Sequence, residues 1–169
     1  MFKTLFMTLM LFTLDAFASK SMIHESKKRK LLGETDKIQV LAVFEANEKL
    51  HNSFYKYDAK KVEVEAKNVA KAIEAIKNTE VKRLLSFSKG KLEEISASVD
   101  RKKNNENYHL FSMAAIHILK SYDLGKKYNG YGCPMVKKKW VQNTKKGIKV
   151  YNPYDPSMPH CGGMETHYH

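Results

Sequence analysis

A chain of 169 residues that sets 30 lysines and arginines against 18 aspartates and glutamates has a formal net charge of +12 and a pI near 9.6. That length supports one domain with an ordinary hydrophobic core rather than a stapled miniature. Lysines carry most of the charge and are spread over every segment (Lys27 to Lys30, Lys60, Lys61, Lys102, Lys103, Lys137 to Lys139, Lys145, Lys146). A phosphate-reading surface interleaves arginines and aromatics instead, so the balance reads as a solvated basic surface and argues against a nucleic-acid partner.

Lys3 followed by the almost wholly apolar run Leu5 to Leu14 reads as a targeting peptide. The run is too short to cross a bilayer core of about 30 Å, and Ala16-Phe17-Ala18 offers small residues to a signal peptidase, so cleavage is expected after Ala18. No cysteine stands at that junction to carry a lipid, and no later stretch is long and apolar enough to span. The mature product is expected to be periplasmic or secreted, with no transmembrane segment.

Residues 19–36 form a lysine-rich leader without usable period. From an N-cap signal at Thr35-Asp36, the recurrence of Ile38, Leu41, Phe44, Leu50, His51 and Phe54 predicts a first helix to about Tyr57. Asp58 caps a second, with Val62, Ala66, Val69, Ile73 and Ile76 on one stripe. Asn78-Thr79 breaks the pattern, and Val81, Leu85, Leu92, Ile95 and Val99 predict a third helix, kinked or split near Ser88 to Gly90. A fourth apolar segment through Tyr108, Phe111, Ala115, Ile118 and Tyr122 ends at Gly125, a natural C-cap. Residues 37–125 therefore read as a mainly α, four-helix up-down bundle. Beyond Gly125, glycines, prolines and tyrosines accumulate. Residues 126–169 are expected to be an irregular Cys/Met/Pro-rich hook of the same domain, pinned by Trp140, with short strands or turns only at Lys138 to Thr144 and Ile148 to Tyr151.

Sulfur and imidazole gather in this hook, as Cys133, Met135, Met158, His160, Cys161, Met164, His167 and His169. Thiolate, thioether and imidazole together select copper(I), silver or zinc over hard cations, and mixed sulfur ligation favours the soft monovalent ions over zinc. Against this stands the ordinary fate of two cysteines in an oxidising compartment, a disulfide. Closing a loop of that size is worth roughly 3 to 4 kcal/mol. The residues alone leave the two states open, along with a switch between them. His51, His109 and His117 fall on predicted helices and read as surface or satisfied histidines; the terminal His167-Tyr168-His169 reads as a solvated tail. No HExxH, phosphate loop, GxSxG or catalytic-cysteine signature occurs, so no enzyme is expected.

The order Tyr131-Gly132-Cys133-Pro134-Met135-Val136, Trp140-Val141-Gln142, Asn152-Pro153-Tyr154, Met158 and Cys161-Gly162 resembles the motif of a bacterial periplasmic domain family of unknown function. That family also occurs as a C-terminal domain on the membrane-fusion subunits of copper and silver efflux pumps. The helical part is similar more loosely, through Phe44 to Leu50, Asp58, Asp100-Arg101, Tyr108, Phe111 and Ser112, so the likeness covers about residues 38–163. The span from Tyr154 to Met158 is shorter than the family's, and His160 replaces an apolar or small neighbour of the second cysteine. The resemblance implies heavy-metal handling outside the cytoplasm, with Cys133, Met135, Met158 and Cys161 at motif positions and an efflux or metal-resistance protein as partner. His160 and Met164 join the ligand set on chemistry alone. The alternatives are a non-enzymatic interaction module in which Cys133-Cys161 is a structural disulfide, and an exported basic protein that binds polyanions.

Overall fold

The computed structural model describes residues 29–145 and 149–168. The expected signal peptide, most of the leader, Ile148 and His169 lie outside the described residues.

Four helices come first: α1 (Glu34–Tyr55), α2 (Ala59–Glu74), α3 (Thr79–Glu93) and α4 (Arg101–Ser121). Their starts follow the sequence chemistry. The side chains of Asp58, Asn78 and Asp100 accept from the N–H of Lys61, Val81 and Lys103 at the N-termini of α2, α3 and α4, each cap being worth about 1 kcal/mol. α1 departs from expectation: it begins one residue before Thr35, and its N-cap is Gly33, with no side-chain hydrogen bond. α3 is not split at Ser88 to Gly90 but runs unbroken through them. The buried Ser88 hydroxyl donates to the Leu85 carbonyl within the helix, and Gly90 meets no crowding. The helix ends at Glu93 instead of reaching Val99, and Asn104 organises the following turn by donating to the carbonyls of Ser96 and Val99. Successive helices pack against one another. Residues 29–33 run beside the end of α4, where Lys30 exchanges backbone hydrogen bonds with Ser121 and Asp123 and Arg29 pairs with Asp123 at 3.0 Å.

The tail corrects the expected fold class. It is not an irregular hook on a pure up-down bundle. β1 (Tyr128–Cys133) and β2 (Lys138–Asn143) form an antiparallel hairpin, and β3 (Gly163–Met164) pairs with the other edge of β1, giving a three-stranded antiparallel sheet in the order β2-β1-β3. The fold is a mixture of α and β. The sheet was hidden for two reasons. Both strands are buried at most positions, so neither shows the alternation that marks a half-exposed strand. Gly130 and Gly132 also interrupt β1, and glycine reads as a turn residue. Gly130 has a packing reason: a Cβ there would lie 2.9 Å from Cγ1 of Ile116 on α4, so the helix sits directly on the strand backbone. The sheet packs across α1 and α4, and Trp140, Tyr108, Phe54 and Phe111 fill the common core. Phe54 and Tyr108 stack at 4.5 Å between ring centres, and the Tyr108 hydroxyl donates to Asn47 on α1.

Candidate functional site

Two turns meet at the end of the sheet. The first joins β1 to β2 and contains Pro134, Met135, Val136 and Lys137, with Cys133 as the last residue of β1. The second is built around Asn152, which is buried; its backbone N–H donates to Pro159, its side-chain amide donates to the Met158 carbonyl, and its side-chain oxygen accepts from the N–H of Tyr154. Tyr154 then ties the turn to the core, its hydroxyl donating to the Lys139 carbonyl at 2.6 Å while its own carbonyl accepts from Asn105 on α4. Asn-Pro-Tyr is thus a local frame that presents Met158 to Cys161, and the Cys161 N–H closes it by donating to the Met158 carbonyl.

The frames converge on the two cysteines. Cys133 and Cys161 are joined as a disulfide, their Cα atoms 5.6 Å apart. Gly162 fixes the approach: its φ is +146°, and a Cβ there would sit 2.6 Å from Cη2 of Trp140 and 3.2 Å from the Gly132 carbonyl oxygen. Only glycine fits so close to the indole in that backbone conformation. Trp140, fully buried, lies between Tyr131 and Tyr154 and forms the floor. After the cysteine the chain zips along β1, with Glu165 N–H donating to the Gly130 carbonyl and the Thr166 hydroxyl bridging Asn129 and the Gly130 N–H.

The remaining expected ligands are spread over this framework. Met135 is 71% exposed on the β1–β2 turn. Met158 is half-buried in the second turn, and Met164 is half-buried in β3 opposite Tyr131. His160 is exposed, and one ring nitrogen, Nδ1, lies 2.7 Å from the Val150 carbonyl. A carbonyl only accepts, so Nδ1 carries the proton in this hydrogen bond, and the His160 ring packs edge-on against Tyr151 at 5.9 Å between centres. Among the described residues, no three His, Cys, Asp or Glu side chains gather to hold a metal ion. His167 is exposed in the tail. The helical histidines are satisfied or exposed: His109 Nδ1 accepts from the Lys139 N–H, His51 Nε2 lies 2.8 Å from the Tyr151 carbonyl, and His117 is on the surface.

Two cavities went unread in the sequence. One, of about 350 Å³, adjoins Cys133 and Pro134 and is edged by Lys137, Lys138, Lys139 and Glu165. The only trace of it in the sequence is a lysine run that also describes any solvated surface. The other, of about 330 Å³, lies between α1 and β2 and is lined by Glu48, His51, Tyr55, Gln142 and Tyr151 among others. These residues come from segments some ninety positions apart and share no motif.

Among the described residues, no helix is long and apolar enough to cross a membrane. No family model matches the chain, and no curated protein or solved structure matches it either.

Proposed function

We propose that the chain is an exported, non-catalytic soft-metal-binding protein, related to the efflux-associated family that its tail resembles. When its cysteine pair is reduced, it holds copper(I) or silver and passes the ion to an efflux or metal-resistance partner by ligand exchange. One observation carries the reading: two sulfur-bearing turns far apart in sequence meet with their cysteines at bonding distance. Reduction of that bond would leave two cysteine sulfurs side by side, with the imidazole of His160 on the residue before Cys161. This donor set suits a soft monovalent ion and offers zinc less than its usual four ligands. Cys133 and Cys161 would be the principal ligands, His160 a further one, and Met135, Met158 and Met164 thioethers available nearby in the chain. Supplied by the metal is an affinity for sulfur; supplied by the protein is a framework that keeps the two turns together.

The test is an anaerobic titration of the reduced mature protein with copper(I) against a competing chelator. Wild type should compete for the ion, and a Cys133→Ser, Cys161→Ser variant should lose at least a hundredfold in affinity. Equal affinity in the two proteins would remove the cysteines from the site.

A second reading, the interaction module clamped by a permanent disulfide, is favoured by the depth of Cys133, only 2% exposed beneath the hook. Thiol counting on protein isolated from its native compartment separates the two. A pair that never reacts without denaturant and strong reductant, in protein that retains no metal, is the clamp.

A further inference from the structure

α4 has two unlike sides. Its inner side, through Tyr108, Phe111, Ala115 and Ile118, is buried in the core. On its outer side Lys103, Leu110 and His117 recur at intervals of seven residues, and Glu106, Met113 and Lys120 repeat the interval beside them. Seven residues are close to two helical turns, so both rows run down one side of the helix, over about 21 Å. Leu110 is 39% exposed and Met113 43% exposed at the middle of this face, and Lys102, Lys103 and Lys120 stand at its two ends. The neighbouring α3 adds Phe87, which is 66% exposed. The Phe87 ring lies 5.6 Å from Nζ of Lys91, Lys91 pairs with Glu94, and the Glu94 carboxylate is held down first by Lys91 and in lesser part by Lys103 of α4. Phe87 therefore stands on the flank of α3 that faces the row of Lys103 and Leu110. Lys102, Lys103 and Lys120 form no ion pair among the described residues, and Glu106 is the one carboxylate on the two rows.

We propose that the outer face of α4, together with Phe87 of α3, docks the protein on an anionic phospholipid surface. Leu110, Met113 and Phe87 enter the boundary between headgroups and acyl chains, while the lysines lay their stems along that boundary and keep their ammonium groups among the phosphates. Charge names the occupant. The chain carries a formal net charge of +12, and the ends of this face add three unpaired ammonium groups to an apolar middle, so a zwitterionic membrane would satisfy the apolar residues and leave the lysines without a counterpart. Shape agrees with lipid rather than with an acidic protein. Both cavities of the molecule lie elsewhere, one between α1 and β2 and one beside Cys133, and the outer side of a helix is convex. A protein partner would have to supply a matching groove, whereas a fluid headgroup layer moulds itself to a convex helix. The face includes no residue of the hook, so the inference stands apart from the metal reading. It adds to it a place of work, at the membrane where an efflux partner resides.

The test is cosedimentation of the oxidised, metal-free mature protein with vesicles of phosphatidylcholine alone and of phosphatidylcholine mixed with phosphatidylglycerol. Wild type should partition to the anionic vesicles at least tenfold more strongly, and added salt should weaken that binding. A Lys102→Gln, Lys103→Gln, Lys120→Gln variant should lose at least tenfold. A control that removes the same charge from exposed positions of α1 and α2, Lys49→Gln, Lys60→Gln, Lys71→Gln, should stay within about twofold of wild type. A Phe87→Ser, Leu110→Ser, Met113→Ser variant, which keeps every lysine, should lose at least fivefold. All of these positions are on the surface, where substitution leaves the fold intact. A Leu110→Trp variant locates the contact: phosphatidylglycerol brominated on its acyl chains should quench the added indole and leave the buried Trp140 of the wild-type protein unquenched. Equal binding to both kinds of vesicle, a control that loses as much as the α4 variant, full binding without the three apolar side chains, or an unquenched indole at position 110 would each overturn the proposal. Copper(I) binding that depends on the cysteines in a protein that ignores the vesicles would leave the metal reading standing and this one fallen; vesicle binding through α4 in a protein without affinity for copper(I) would do the reverse.

Discussion

His51 sits on the inner face of α1, 4% exposed, with Nε2 held against the Tyr151 carbonyl. Burial pushes its pKa down to about 4, against smaller upward pulls from the Tyr151 hydrogen bond and the Glu48 carboxylate. The folded state therefore takes up the proton less readily than the unfolded chain, whose imidazole titrates near 6.5. The associated stability is complete above about pH 6.5 and is lost as the pH falls through that value toward the folded pKa. On going from pH 7 to pH 4.5 the loss from this one group is of the order of 2 to 3 kcal/mol. Denaturant unfolding at the two pH values should show that difference in wild type and should show it reduced by that amount in His51→Gln. An unchanged pH dependence in the variant would mean that His51 is not buried neutral. At this scale the sequence was informative about chemistry and poor about environment. The helical placement of His51 and His109 was readable from the apolar period, but their carbonyl and amide partners, Tyr151 and Lys139, lie in segments that no local pattern connects to them.

Among the elements, the β1–β2 hairpin and the turn carrying Gly162 decide whether the cysteines meet. Gly162→Ala would place a methyl group against Trp140 and the Gly132 carbonyl, in a backbone conformation that alanine resists. It should destabilise the protein by about 2 to 3 kcal/mol, with Trp140 fluorescence reporting the displaced floor. A loss below about 0.5 kcal/mol would show that the turn has room to move. Asp58 announced its helix because a cap is a contact between residues three apart, visible in any short window, whereas Asn78, read as a break in the apolar pattern, is also the cap of α3. Lys138 to Thr144 reads as a short strand or a turn, close to the observed β2 at Lys138–Asn143. β1 was not anticipated, since Gly130 serves a tertiary contact with Ile116, Gly132 faces Glu165, and the two glycines obscure the strand pattern. β3 is two residues long and exists only because the disulfide and the Asn129–Thr166 bonds lay the tail beside β1. No stretch of sequence that short encodes a strand alone.

On the scale of the molecule, the disulfide closes a segment with a sequence separation of 28 and ties both ends of the hook to a sheet that rests on α1 and α4. In chain-entropy terms this closure stabilises the fold by roughly 3 to 4 kcal/mol. Thermal and denaturant unfolding of oxidised and reduced protein should differ by about that much. Equal stability would mean that the hook is held by packing on Trp140 and Tyr154 alone. The meeting of Cys133 and Cys161 was the part of the site most legible from sequence, through two turns of similar composition. The methionines were less so: Met135, Met158 and Met164 share the motif's chemistry but lie on a hairpin tip, an Asn-framed turn and a short strand, at different depths.

The central claim is that the reduced hook is a sulfur site for a soft ion. X-ray absorption at the copper edge, on reduced protein loaded anaerobically with one equivalent of copper(I), reports the donor atoms directly. The account predicts a first shell dominated by sulfur in wild type that is lost in Cys133→Ser, Cys161→Ser. A shell of nitrogen and oxygen in the wild-type protein would contradict it.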